Sequence, residues 1–217
     1  MRGERRSGKP RGITPGYRRP NAQRLPAAER REALLEAALR VFAEGSYSGA
    51  TTAEIARAAD VSEPILYRHF ASKRDLYLAC LDHMWTQLRG AWEAALAQAQ
   101  PSELPGVLFE TVRTMKKRGA VPSLLWVQAI TEAGEDEEIR RFMRAHLREV
   151  HDFVAGAIRL GQELGGVAAD RDPNAEAWVF VAGGLLFSTA ARLGGPLTEE
   201  DFLAVAAERR RWLTGGV

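Results

Sequence analysis

Residues 63–69 gather side chains that could contact nucleic acid: Glu63, Pro64, Tyr67, Arg68 and His69. Among them only Arg68 can pair with guanine through two hydrogen bonds, and it could equally grip a phosphate. Such contacts need a helix that holds these side chains on one exposed face, with its N-terminal residues toward base edges and the others toward phosphates. The plain alternative is a helical hairpin inside a bundle, without any ligand.

Two short helices are predicted to position these side chains. Thr51 can cap the first helix while Glu54 reaches back from three residues later, which is the pattern of a capping box. Residues 60–62 then break the helical pattern, and Ser62 is a good N-cap for a second helix, Glu63–Phe70. Two short helices joined by a three-residue turn have the geometry of a helix-turn-helix.

A long helix is predicted to follow, from Lys73 to about Ala99. Ser72 can cap this helix, with Asp75 at its third position.

Apolar spacing supports this arrangement. A preceding helix, Ala27–Glu44, carries one apolar face and ends before Gly45. The apolar residues of the two short helices face one another, with Ala38 and Phe42 beneath them. No strand of useful length with alternating polarity is present, so the predicted fold class is all-α.

Several spaced elements of this region occur together in order: Thr51-Thr52-Ala53-Glu54-Ile55-Ala56, Val61-Ser62, Leu66-Tyr67-Arg68-His69-Phe70 and Ser72-Lys73. Over Arg30–Leu81 the chain thereby resembles the DNA-binding region of the tetracycline-repressor-like (TetR/AcrR) family. The resemblance implies an N-terminal three-helix helix-turn-helix domain that binds DNA. It also implies a larger C-terminal helical domain that binds a small molecule and dimerises.

The resemblance assigns roles to individual residues. It implies that Thr52 and Tyr67 hold phosphates, that Lys73 reaches a phosphate from the start of a long helix, and that His69 supports the end of the recognition helix or touches the DNA backbone. Glu63, Pro64, Ile65 and Arg68 then form the recognition surface. The full predicted DNA-binding set is Arg24, Thr51, Thr52, Glu63, Pro64, Ile65, Tyr67, Arg68, His69 and Lys73.

The turn departs from the family pattern at Asp60, where members of the family often have glycine. Aspartate tolerates a left-handed backbone better than most residues do, so we expect the turn to survive.

A strongly basic arm precedes the first helix. Residues 1–25 hold eight basic side chains and one acidic side chain, with almost no apolar residues, so we expect a flexible segment. Residues 27–75, here called the reader, hold seven basic and eight acidic side chains and need additional charge to bind DNA. The arm is the predicted source of that charge. A solubilising tail or a start-site extension is the alternative.

The predicted organisation is a basic arm over 1–26, a DNA-binding domain over 27–75 and a ligand-binding and dimerisation domain over 76–217. A helix over residues 174–192 is apolar almost all round, which predicts burial on both sides, one of them against a second copy of the chain. The predicted interface residues are Trp178, Val181, Leu185, Phe202 and Trp212. A central core helix in a monomer is the alternative.

A surplus of large side chains in the C-terminal part favours an apolar ligand site with a few polar groups. The candidate residues are Trp85, Trp92, Phe109, Trp126, Phe142, Met143, His146 and Trp178. Candidate polar groups beside them are His83, Gln87, Gln128, Thr131 and His146. The predicted effector is a sizeable, mostly apolar small molecule.

The remaining sequence features exclude several classes of protein. The 217 residues have a formal net charge of +2 and 46% hydrophobic residues, which is ordinary globular composition. One cysteine rules out a disulfide framework, and no catalytic motif, metal site, cofactor site or membrane span is predicted. We therefore expect a cytoplasmic regulator, more often a repressor in this family, that binds a palindromic operator in double-stranded DNA as a homodimer. The alternatives are a helical enzyme that binds small molecules and a protein-interaction adaptor without DNA specificity.

Overall fold

The computed structural model describes residues 26–117 and 123–216, and these residues form helices and connecting turns without a strand. The helices are α1 Ala27–Glu44, α2 Thr52–Ala58, α3 Glu63–Tyr67, α4 Lys73–Gln98, α5 Leu104–Lys117, α6 Ser123–Glu132, α7 Glu137–Glu163, α8 Pro173–Arg192 and α9 Glu199–Leu213. A short 3₁₀ turn, Pro101–Glu103, precedes α5. The predicted all-α fold class is confirmed.

Local capping signals decide where the helices of the reader begin. The Thr51 hydroxyl accepts a hydrogen bond from the Glu54 N–H, and a Glu54 carboxylate oxygen accepts one from the Thr51 N–H, which completes the predicted capping box of α2. The Ser72 hydroxyl accepts from the Asp75 N–H at the start of α4. These two signals depend only on residues three apart, which is why the sequence predicts them correctly.

The helix α3 differs from its prediction in two respects. Ser62 stands at the N-cap with an extended backbone, but its side chain makes no capping hydrogen bond. The helix also ends at Tyr67 rather than Phe70. The N–H groups of Arg68 and His69 donate to carbonyls three residues earlier, which tightens the chain into a turn that carries Phe70 into the core.

Asp60 adopts the left-handed backbone that the turn between α2 and α3 requires, with φ of 53°. The expectation that the turn survives without glycine is therefore confirmed.

Two hydrophobic cores are present, and the boundary between them does not coincide with the end of the reader. The first core joins α1, α2, α3 and the first half of α4 to Leu125 and Ala129 of α6 and to Ile139 and Met143 of α7. The second core joins the later part of α4 to α5, α7, α8 and the end of α9. Trp126 packs against both cores, and α4 runs through both.

No helix of the described ranges is long and apolar enough to cross a membrane. Across the same ranges, no three His, Cys, Asp or Glu side chains are grouped so that they could hold a metal ion. The two histidines of α7 have separate surroundings: His146 faces Trp85 and Trp126, whereas His151 contacts Asp152.

Candidate nucleic-acid interface

The helix α3 divides cleanly into a buried and an exposed side. Leu66 and Phe70 lie in the first core, with 0% and 5% of their surface exposed. Pro64, Tyr67 and Arg68 face outward, and Tyr67 is 48% exposed. Packing of the inner residues against α1 and α2 fixes the direction in which the outer residues point.

A chain of hydrogen bonds links the outer face of α3 to the start of α2. The Thr52 hydroxyl donates to Oε1 of Glu63, and the Thr52 Oγ1 lies 3.1 Å from the Tyr67 hydroxyl. A threonine hydroxyl carries one proton, which Thr52 gives to Glu63, so Tyr67 is the donor of the second bond. The two hydroxyls that the resemblance assigns to phosphates are therefore bonded to each other in this structure, and Thr52 is bonded to Glu63 as well.

Lys73 braces the loop between α1 and α2. Its ammonium group donates to the carbonyl oxygens of Tyr47, at 2.9 Å, and Ala50, at 3.2 Å, and lies 4.6 Å from the centre of the Tyr47 ring. Two of its three N–H groups are thus used within the protein. Its role at a phosphate stays a prediction, with one N–H left for that contact.

The other predicted DNA-binding residues lie around the same surface. Thr51 is exposed, although its hydroxyl is used in the cap of α2. Ile65 and His69 are half-buried beside the exposed residues of α3. Arg24 and the arm lie outside the described residues.

Four of the predicted ligand-binding residues come together, with three aromatic side chains around the imidazole of the fourth. The ring of His146 lies 5.5 Å from Trp85, 5.6 Å from Trp126 and 6.0 Å from Phe142, between ring centres. His146 is 6% exposed, and burial lowers its pKa to about 4 despite the opposing charge of Asp82. The Trp126 indole N–H, also buried, has no hydrogen-bond partner in the part of the chain that the structure describes. These four residues are called the aromatic cluster below.

The remaining four predicted ligand residues are not grouped with one another. Trp92 packs beside Trp85 in the second core, whereas Met143 belongs to the first core. Phe109 stacks on Phe202 of α9 at 4.0 Å. Trp178 is 46% exposed and lies against His151, outside the aromatic cluster.

The predicted dimer residues have mixed positions. Trp178 and Trp212 are 46% and 47% exposed, while Leu185 and Phe202 are half-buried. Val181 is only 5% exposed and packs in the second core of its own chain. The exposed apolar side chains of α8 and α9 are Trp178, Val179, Leu186, Leu203, Val205 and Trp212.

Sequence reasoning missed two contacts that tie the reader to the C-terminal part. Gln128, predicted as a polar ligand group, donates through Nε2 to the carbonyl oxygen of Gly45 at 2.9 Å. Arg74 donates to Asp136 at 3.1 Å, and Asp136 also caps α7. The hydrogen bond from the Ile139 N–H in that cap, followed by the one from Arg74, lowers the pKa of the Asp136 carboxyl group. Because the partners are 83 and 62 residues apart, no local sequence signal could reveal either contact.

Comparison with known proteins places the reader in a defined sequence family. Residues 34–80 match the family described as "Bacterial regulatory proteins, tetR family". The chain is 54% identical over 66 residues to the HTH-type transcriptional activator FasR of Mycolicibacterium smegmatis, covering 30% of this chain and 29% of FasR. It is 30% identical over 131 residues to the HTH-type transcriptional regulator BetI of Rhizobium meliloti, covering 60% of this chain and 64% of BetI. The matched part thus spans less than two thirds of either relative.

A solved structure shows that the likeness in fold extends through the C-terminal helices. The structure of AibR in complex with isovaleryl coenzyme A and operator DNA aligns with a TM-score of 0.64 and 23% identity, over 87% of this chain and all of AibR. An outward-facing short helix in a two-helix motif, joined to a larger helical domain, defines a helix-turn-helix protein. Residues 34–80 of this chain therefore match the TetR family of bacterial regulatory proteins, and the likeness to AibR shows a shared fold over most of the chain.

Proposed function

We propose that this protein is a ligand-responsive transcriptional regulator that binds a palindromic operator as a homodimer and represses the genes it controls. The observation that carries the proposal is the outward face of α3, where Pro64, Tyr67 and Arg68 are exposed over a fully packed inner side. This is the arrangement by which a recognition helix enters the major groove. The protein acts in the cytoplasm by binding, without a catalytic step.

The exposed apolar side chains of α8 and α9 support the dimer. A two-fold pair of such helices would form a four-helix interface, and two-fold symmetry matches the symmetry of a palindromic operator. Val181 is excluded from this proposal because it packs within its own chain.

The aromatic cluster supports a mostly apolar effector. Its histidine is neutral near pH 7, so the cluster offers aromatic surface and one unpaired indole N–H, and it offers no charge. AibR, which has the same fold, binds isovaleryl coenzyme A, and this makes an acyl thioester a reasonable first probe, with its apolar acyl group rather than its charged coenzyme A part in the aromatic cluster.

Ligand and DNA are coupled because the same elements contact both regions. The helix α4 carries Leu76 and Tyr77 in the first core and Trp85 and Trp92 in the second. Trp126 belongs to the aromatic cluster, while Gln128 of the same helix donates to the carbonyl oxygen of Gly45, directly after α1. An effector that shifts α6 or α4 changes the separation of the two recognition helices from the 34–36 Å, or a multiple of it, that B-DNA requires. By linkage, DNA weakens effector binding by the same factor.

Fluorescence anisotropy with a duplex from the region upstream of the protein's own gene tests the proposal. We expect sequence-specific binding that falls at least about fivefold in Arg68→Ala. Arg144→Ala removes another exposed arginine, one that lies on α7, and should leave affinity unchanged. Equal affinity for the upstream duplex and a scrambled duplex would instead support the adaptor or enzyme alternatives.

The sign of regulation and the effector are tested separately. A reporter driven by the bound promoter should rise when the gene is deleted, whereas a fall would show activation. Isovaleryl coenzyme A should raise the melting temperature of the free protein and release it from the duplex. No melting shift would remove this acyl thioester as the effector and leave the DNA-binding proposal standing.

A further inference from the structure

We infer that Glu63 reads a cytosine in the major groove and so sets part of the base sequence that the protein selects. The inference rests on the proposed function, since it requires α3 to enter the groove of an operator. Glu63 is the only acidic residue of α3 and is its first residue. Residues at the N-terminal end of a recognition helix are those that meet base edges.

The hydrogen-bond chain from Tyr67 through Thr52 holds the Glu63 carboxylate in place. Thr52 is 9% exposed and donates to Oε1, so one carboxylate oxygen is anchored to a buried position on α2. No residue in the described ranges donates to the second oxygen, Oε2. The side chain is half-buried, which leaves Oε2 able to accept a hydrogen bond from outside the protein. An acceptor that is fixed before binding loses little entropy when it meets its partner.

An ionised carboxylate is an acceptor only, and this chemistry selects among the bases. In the major groove, guanine presents two acceptors, and thymine presents an acceptor beside a methyl group. Adenine offers its N6 amino donor next to the N7 acceptor, which repels a carboxylate. Cytosine offers the N4 amino donor alone. Cytosine is therefore the base that Glu63 accepts without electrostatic conflict.

The charge of Glu63 opposes binding to DNA as such, because it faces a polyanion. The reader already has one more acidic than basic side chain, so an acid on the recognition helix lowers affinity for every sequence. The gain in specificity, through weaker binding to the wrong bases, can offset this loss of affinity. If Glu63 only tied α3 to α2 through Thr52, its replacement would change affinity without changing base preference.

Selection from a library of random duplexes with the full-length protein separates these two roles. We expect the wild type to enrich half-sites with cytosine at one position, by about 5- to 150-fold over the other bases. Glu63→Gln should lose that preference and gain adenine there, because an amide can both accept from N6 and donate to N7. Thr52→Val, which removes the hydroxyl that fixes the carboxylate, should weaken the cytosine preference without converting it to adenine.

Glu36→Gln is the matched control, since it removes one exposed acid from the middle of α1 and leaves α3 unchanged. It should raise affinity slightly for all sequences and leave every base preference unchanged. Glu63→Ala gives a second test should the glutamine variant fold poorly, and it should lose the cytosine preference without gaining another base. If Glu63→Gln and Glu63→Ala enrich the same bases as the wild type, Glu63 has no part in base selection. If the wild type enriches no sequence at all, the proposed function itself is wrong.

Discussion

The imidazole of His146 lies among three aromatic rings, and its protonation is linked to folding. In the folded chain burial lowers its pKa to about 4, whereas an unfolded histidine has a pKa near 6.5. Between these pH values His146 binds a proton in the unfolded chain and stays neutral in the folded chain. The contribution of the neutral ring to stability is therefore fully present above about pH 6.5 and is lost as the pH falls toward 4.

We predict that acidification destabilises the wild type through this residue. Between pH 7 and pH 5 the free energy of unfolding should fall by on the order of 2 kcal/mol because of His146. His146→Phe keeps a ring in the aromatic cluster but cannot be protonated, so its loss over the same range should be smaller by that amount. Urea denaturation of both proteins at pH 7, 6 and 5 measures the difference. Equal losses would mean that His146 is not the group that titrates.

Among the elements, the loop between α7 and α8 lies directly against the 3₁₀ turn before α5. A Cβ atom on Gly166 would lie 1.8 Å from the carbonyl oxygen of Pro101 and 2.7 Å from its carbonyl carbon. Both atoms belong to the backbone, so a side chain at residue 166 could be accommodated only by separating the two segments. Gly156, in the middle of α7, has no atom within 4 Å of an added Cβ.

This contrast predicts opposite effects for the same substitution. Gly166→Ala should lower the free energy of unfolding by roughly 1–3 kcal/mol through overpacking. Gly156→Ala should raise it by about 0.5–1 kcal/mol, because alanine has less backbone entropy to lose in a helix. Chemical denaturation of the two variants beside the wild type checks both signs. A stable Gly166→Ala variant would show that the loop moves freely away from Pro101.

Considered as a whole, the molecule exposes apolar side chains on α8 and α9, which the proposed dimer would cover. Leu186, at 57% exposed, lies on this face, and Leu164, at 52%, lies at the end of α7 outside it. The two leucines are similar in exposure and differ in whether the proposed dimer buries them.

Leu186→Glu should therefore give a monomer, since each dimer would bury two unpaired carboxylates. Without two linked recognition helices its operator affinity should also fall. Leu164→Glu should remain dimeric and bind DNA as the wild type does. Analytical ultracentrifugation together with anisotropy tests this, and a dimeric Leu186→Glu variant would place the interface elsewhere.

The charge of the whole chain leads to a prediction about salt. The reader is not basic, whereas residues 1–22 carry seven basic side chains and one acidic side chain. Deletion of residues 1–22 should weaken operator binding and lower the slope of log K against log salt by about 0.9 for each phosphate that the arm neutralises. An unchanged slope in anisotropy titrations from 50 to 200 mM salt would show that the arm does not bind phosphates.

Features that depend on neighbouring residues could be predicted from the sequence. The capping box of Thr51 and Glu54 and the cap at Ser72 follow from hydrogen bonds between residues three apart, and the left-handed Asp60 follows from the short turn between α2 and α3. Helical periodicity likewise gave the bounds of α1 and α4. The end of α3 was missed because Phe70 reaches the core through a tight turn, and periodicity alone cannot distinguish that turn from a helix.

By itself, the sequence determined the all-α fold class, the caps of α2 and α4 and the outward side of α3, because these arise from contacts close along the chain. Only the tertiary structure decided which groups the polar side chains bind through hydrogen bonds. It placed Lys73 on carbonyls 23 and 26 residues away, Glu63 on a hydroxyl 11 residues away and Gln128 on a carbonyl 83 residues away. These hydrogen-bond partners are set by the packing of helices against one another. The periodicity of one helix does not indicate which surface of another helix it will contact.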